Sequence, residues 1–98
     1  MTVELKLTVN GSPISTDYFV QSFVDHVVSG MMEALEGTSK IRELNLTIDG
    51  ESVSINLNGA LVPTNAFVKK VIKGTTEGMV STLKGVGDIS NLNIFVRK

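Results

Sequence analysis

His26 is the chain's one histidine, with Asp25 beside it, Ser22 four residues before and Ser29 three after. These are the residue types of a hydrolytic set: a hydroxyl to attack, an imidazole to take its proton and a carboxylate to orient the ring. The spacing works against that chemistry. Neighbouring helical positions point about 100° apart, so Asp25 cannot orient the His26 ring, and His26 reads as a surface residue. No other nucleophile and base are paired, so no catalytic residue is assigned. With no second histidine, no cysteine and no carboxylate cluster at ligand spacing, no metal or cofactor is expected either.

Charge is the next chemical resource. A first helical stretch carries Asp17, Asp25, Glu33 and Glu36 with no lysine or arginine, while a second carries Lys69, Lys70, Lys73 and Lys84 against Glu77 alone. Two solvated faces of opposite sign attract weakly, each exposed pair being worth about 0–1 kcal/mol. Alternatively, the acidic helix of one molecule meets the basic helix of the next. Lys69, Lys70 and Lys73 could also touch an anionic partner. The net charge of −1 speaks against a nucleic-acid partner, which calls for a strong basic excess. A glycine turn before a helix can cradle an anion, and Asn10-Gly11 and Asn58-Gly59 stand in such places. No cation follows within the first turn of the first helix, so these glycines serve the turn.

Ninety-eight residues, 42% hydrophobic and 19% charged, describe one folded domain over 1–98. Residues 1–50 hold three basic and seven acidic side chains, and residues 51–98 hold six and three. No run approaches the roughly 20 apolar residues of a membrane span, and the N-terminus alternates rather than forming a signal peptide. No membrane partner is expected, and the cytoplasm is the default address.

The elements that would carry these residues come as two copies of one pattern. Asn10-Gly11, Thr16, Phe19-Val20, Gly30-Met31, Leu35, Gly37, Ile41 and Leu44-Asn45 recur 48 positions on, without a gap. The partners are Asn58-Gly59, Thr64, Phe67-Val68, Gly78-Met79, Leu83, Gly85, Ile89 and Leu92-Asn93. The repeats are assigned to 1–50 and 51–98. Strict alternation over residues 3–9 predicts a half-buried strand with Val3, Leu5, Leu7 and Val9 inward. Ser12 to Ser15 form either a short return strand or a loop. Thr16 is the expected cap of a helix ending at Gly37. Leu44, Leu46 and Ile48 line a second strand, and Asp49-Gly50 turns into a third with Val53, Ile55 and Leu57 inward. Thr64 is expected to cap a second helix ending at Gly85, before a last strand through Leu92, Ile94 and Val96.

Strand, helix, strand, twice over, predicts two interlocked β-α-β units: a ferredoxin-like sandwich. Its four-stranded antiparallel sheet would have order 4-1-3-2, both helices on one face and a pseudo-two-fold axis through the centre. Strands 2 and 4 would be exposed edges open to strand addition. Strands 1 and 3 would run antiparallel at the centre, placing the two Asn-Gly loops at opposite ends of the sheet.

The first helix is more apolar than one sheet face requires, whereas Thr75-Thr76 weaken the stripe of the second. Phe19-Val20, Phe23-Val24, Val27-Val28, Met31-Met32 and Leu35 cover about 220° of the first, against the stripe of about 100° that packing on a sheet needs. The excess faces either the second helix or another subunit. Gly30 and Gly78 stand mid-helix, where glycine costs about 1 kcal/mol relative to alanine. Close approach of the two helix backbones would explain both; a dimer contact or a ligand are the alternatives. The outer sheet face carries amides and hydroxyls, with Phe95 its one aromatic. It faces water, or hydrogen-bonds a sugar or a partner sheet. Gly30, Met32, Gly78, Lys69, Lys70, Lys73 and Phe95 are therefore the residues expected at an interface.

Other ferredoxin-like proteins do not share their sites with this chain. It lacks the Cys-x-x-Cys of the metal-binding members and the first-loop arginine of acylphosphatases. It also lacks the strand 1 and 3 aromatics of RNA-recognition domains. Asn58-Gly59 through Phe67-Val68, with Gly78-Met79-Val80-Ser81-Thr82-Leu83-Lys84-Gly85, resembles a group of small uncharacterised prokaryotic proteins built of one β-α-β unit, about half this length. The first half departs from their pattern at Glu33-Ala34 and Glu36. The resemblance implies that single units pair as homodimers and that this chain fuses two. The expected function is a non-enzymatic interaction or scaffold domain whose partner is itself or another protein. The alternative is a small-molecule-binding regulatory module, its ligand at a subunit interface or on the polar sheet face.

Overall fold

The computed structural model describes residues 3–37 and 40–98. Its elements are β1 (Glu4–Val9), β2 (Ser12–Pro13), α1 (Tyr18–Glu36), β3 (Glu43–Asp49), β4 (Ser52–Leu57), β5 (Ala60–Leu61), α2 (Ala66–Val80) and β6 (Asn91–Arg97). Alternation is as the strand sequences predict. Leu5, Leu7, Val9, Leu44, Leu46, Ile48, Val53, Ile55, Leu57, Leu92, Ile94 and Val96 are buried in one cluster. Val24, Val28 and Met32 of α1 and Ile72 and Val80 of α2 join that cluster, so both helices cover the same sheet face.

The order of the sheet overturns the ferredoxin-like expectation. Six strands run β2-β1-β6-β3-β4-β5, every neighbouring pair antiparallel, rather than four in the order 4-1-3-2. Two of the pairings are common to both arrangements. The last strand lies beside the first, and β3 turns through Asp49-Gly50 into β4. What differs is the seam joining those ribbons. The expected centre was the first strand against the third, whereas the observed centre is β3 against β6.

The reason lies in the two Asn-Gly turns. Asn10 and Gly11 have φ of 52° and 82°, and Asn58 and Gly59 have 53° and 86°. Positive φ at both central residues is the geometry that folds a chain straight back on itself. The returning residues form β2 against Thr8 and Val9, and β5 against Asn56 and Leu57. Ile14 N–H donates to the Leu7 carbonyl and Val62 N–H to that of Ile55, extending each return by one bond. The edges of β1 and β4 that would have met at the centre are thus occupied, so the ribbons join through β3 and β6. Those strands bring Leu44 opposite Val96, Leu46 opposite Ile94 and Ile48 opposite Leu92, all essentially free of solvent. Strands 2 and 4 of the expected scheme are thereby central, and the edges belong to β2 and β5.

The asparagine side chains complete the lock. Asn58 Oδ1 accepts from the N–H groups of Arg42 and Glu43, and its Nδ2 donates to the Lys40 carbonyl. Asn10 Oδ1 accepts from Ser90 and Asn91, and its Nδ2 donates to the Asp88 carbonyl. Each asparagine ties the end of one strand to the start of its neighbour. The two locks sit at opposite ends of the antiparallel β3–β6 pair.

The helix starts fall one residue later than expected. Asp17, not Thr16, caps α1 by accepting from Val20 N–H at 2.8 Å, and Asn65, not Thr64, caps α2 by accepting from Val68 N–H at 2.8 Å. Asp and Asn outrank Thr as caps. Helix α1 ends at Gly37 in the left-handed region. Helix α2 stops at Val80, short of Gly85, because Ser81 and Thr82 hydroxyls bond the Gly78 and Met79 carbonyls. Such local bonds compete with the helical ladder.

Candidate interaction surface

The paired apolar residues of each helix divide their work. The second member of each pair faces the sheet: Val24, Val28 and Met32 on α1 are buried, as are Ile72, Thr76 and Val80 at the matching places on α2. The first member, about 100° round, turns away. Phe19 is 70% exposed, Phe23 50%, Phe67 74% and Val71 44%. The Phe19 and Phe23 rings lie 6.0 Å apart, tilted by 38°.

Two apolar grooves separate the helices. One, of about 380 Å³, lies between Phe19, Phe23 and Val27 of α1 and Thr75 and Met79 of α2, continuing to Leu83 beyond it. The other, of about 150 Å³, lies between Met31, Ala34 and Leu35 of α1 and Phe67, Val68 and Val71 of α2. The start of each helix adjoins the end of the other, so they run antiparallel. The outer face of the helix layer is therefore an apolar strip running between and over both helices.

The close helix–helix contact expected at Gly30 and Gly78 is not formed. Both glycines are exposed, and a Cβ at either would meet no atom within 4 Å. Substitution by alanine would not overpack the monomer there. Met32 is likewise no surface residue: it is 0% exposed, beneath α1 in the core.

Charge flanks the strip asymmetrically. Lys69 and Lys70 are exposed, whereas Lys73 is partly covered by Glu77 at 3.3 Å and Glu51 at 3.9 Å. On α1, Asp25 meets Lys98 at 2.9 Å. Among the described residues no ion pair joins α1 to α2, so the opposed helix charges are not spent on each other. Glu33 and Lys70 are exposed and belong to no ion pair among those residues.

The remaining chemical residues are dispersed. His26 Nδ1 lies 2.7 Å from the Ser22 carbonyl oxygen, the reach of a residue four positions on, while Asp25 turns to Lys98 and Ser29. On the opposite face of the sheet Asn93 Nδ2 donates to Asn45 Oδ1 and Thr47 Oγ1. Phe95 is half-buried there, with the Arg97 guanidinium 5.5 Å from its ring centre and bridged to Glu43 and Glu4. Among the described residues no cluster of three or more acidic or histidine side chains could hold a metal, and no helix is long and apolar enough to cross a membrane.

Phe19, Phe23 and Phe67 belong to the paired apolar residues read from sequence but stand outside the residues expected at an interface. Their signal was present in the excess width of the stripe. It could not be assigned to an exposed face without knowing how far apart the helices lie. Comparison with family models, curated proteins and solved structures finds no match.

Proposed function

We propose that this protein is a small non-enzymatic interaction domain of the cytoplasm that works by self-association through the outer face of its helix layer. The carrying observation is the exposure of Phe19, Phe23, Phe67 and Val71 along one strip. Contiguous exposed apolar surface of this kind marks interaction sites in small folded domains. The molecule measures 35 × 33 × 18 Å, thin in one direction and broad in two, as a sheet with one covering layer should be. A broad face of that size accommodates the roughly 800 Å² per partner of a standard interface.

The polar sheet face supports association less well, because Asn45, Thr47 and Asn93 already bond one another. We further take the two halves as fused copies of one β-α-β unit, like the half-length proteins that the second half resembles. What supports this is the equivalence of the Asn10 and Asn58 locks and of the Asp17 and Asn65 caps.

The test is solution mass by sedimentation at low and high salt. A dimer or larger species is expected. The double variant Phe19→Ser, Phe67→Ser should revert to monomer while its urea midpoint moves by less than the equivalent of about 0.5 kcal/mol, both side chains being exposed. A wild-type monomer at all concentrations and both salts would overturn the reading, as would a variant whose mass is unchanged.

A further inference from the structure

Resting on that reading, we propose which way the second copy lies: α1 of each protomer covers α2 of its partner, about a two-fold axis running along the helices. Two independent features of the surface select this arrangement over a two-fold axis crossing the helices, which would set α1 on α1 and α2 on α2.

The first is charge. The grooves fix which parts of the helices are level with each other: Phe23 with Met79, Val27 with Thr75, and Ala34 with Phe67 and Val71. Turning a copy over along the helix direction keeps those levels, so Glu33 of one protomer comes to Lys70 of the other. Both are exposed, without an ion partner in the described structure, and tilted to the outer flank of their helix. The contact occurs twice in a two-fold dimer, because an isologous interface repeats every pair. The crossed arrangement instead lays the helix with the exposed Glu33 and Glu36 on its own copy and the helix with the exposed Lys69 and Lys70 on its own copy. Like charges brought together across an interface disfavour it.

The second is relief. His26 is exposed at the top of the middle of α1, level with Gly74 on α2, where an added Cβ would meet no atom within 4 Å. With α1 over α2, the imidazole of one copy enters the space above Gly74 of the other. With α1 over α1, two His26 rings converge at the middle while two Gly74 positions leave a gap. Gly30 and Gly78, which serve no contact inside the monomer, lie on the same outward side of their helices. They let the partner's backbone approach closely.

The chain has no cysteine, which makes disulfide trapping clean. The variant carrying Glu33→Cys and Lys70→Cys should form a covalent dimer on mild oxidation. Within one protomer these residues point to opposite flanks, and a disulfide needs Cα atoms within roughly 7 Å. In parallel, Glu33→Lys alone and Lys70→Glu alone should each weaken self-association about tenfold by placing like charges together. An equimolar mixture of the two should regain wild-type association as the mixed dimer. Covalent dimer from Glu33→Cys with Ser22→Cys, and none from Glu33→Cys with Lys70→Cys, would overturn the arrangement and leave self-association standing. Failure of the mixed variants to recover would also overturn it. A wild-type protein that sediments only as monomer overturns both proposals at once.

Discussion

The two helical halves share a backbone plan and differ in what they hang on it. Asp25 of α1 is held by Lys98, and at the matching place on α2 Lys73 is held by Glu77 and, at longer range, Glu51: matching residues of opposite charge, each with its own ion partner. Val28 fills the centre of the core beneath α1, and Thr76 fills its counterpart beneath α2. Glu33 and Ala34 carry α1 on to Glu36, where Ser81 and Thr82 stop α2 at Val80. His26 stands above α1 where Gly74 leaves α2 bare. Positions that set the Asn-Gly turns and the helix starts agree, because their geometry tolerates few residue types. Positions on the outer face diverge in opposite senses of charge and bulk, and that divergence can make one surface complementary to itself.

The largest test of this comparison concerns what the halves share. Asn10→Ala and Asn58→Ala should each destabilise the fold by about 3 kcal/mol. Each loses three side-chain hydrogen bonds of about 0.5–1.5 kcal/mol and forces alanine into the left-handed region. Urea midpoints of the two variants should agree within about 1 kcal/mol. A large loss in one half alone would break the equivalence.

The next concerns the core position where the halves differ. The Thr76 hydroxyl is buried with no hydrogen-bond partner among the described residues, an arrangement that costs roughly 1–3 kcal/mol. Thr76→Val should therefore stabilise by about 1 kcal/mol, and Val28→Thr should destabilise by about 2 kcal/mol. Thermal melts of the pair should move in opposite directions. Equal and small effects at both positions would mean that the hydroxyl is satisfied after all.

The smallest effects belong to the outer face. Gly30→Ala and Gly78→Ala should each stabilise the monomer by about 0.5–1 kcal/mol, since alanine removes the helix penalty of glycine and its Cβ meets nothing. A loss of stability at either, measured by urea unfolding at low protein concentration, would restore a close helix–helix contact there.

Much of this molecule is legible in the order of its residues. Alternation places Leu44, Leu46 and Ile48, and likewise Leu92, Ile94 and Val96, on the inner face, because a strand's side chains can only alternate. Asn-Gly at 10–11 and 58–59 specifies tight turns, because asparagine and glycine accept the positive φ those turns need. The paired spacing Phe19-Val20 through Met31-Met32 determines that α1 has one apolar flank too many. These are local consequences of periodicity and backbone sterics, and they hold whatever the chain later packs against.

The sheet order and the open face are of another kind. The β1–β6 and β3–β4 ribbons are compatible with either central seam, and only the space taken by Ser12–Pro13 and Ala60–Leu61 beside β1 and β4 excludes one of them. Whether Phe19 and Phe67 are core or surface depends on the distance between two helices that never touch in sequence. That distance follows from which strands each helix must bridge: α1 leads from β1 to β3 across β6, and α2 from β4 to β6 across β3. Local residues determined which side chains leave the sheet. Only the long-range pairing of strands decided which of those remain in water.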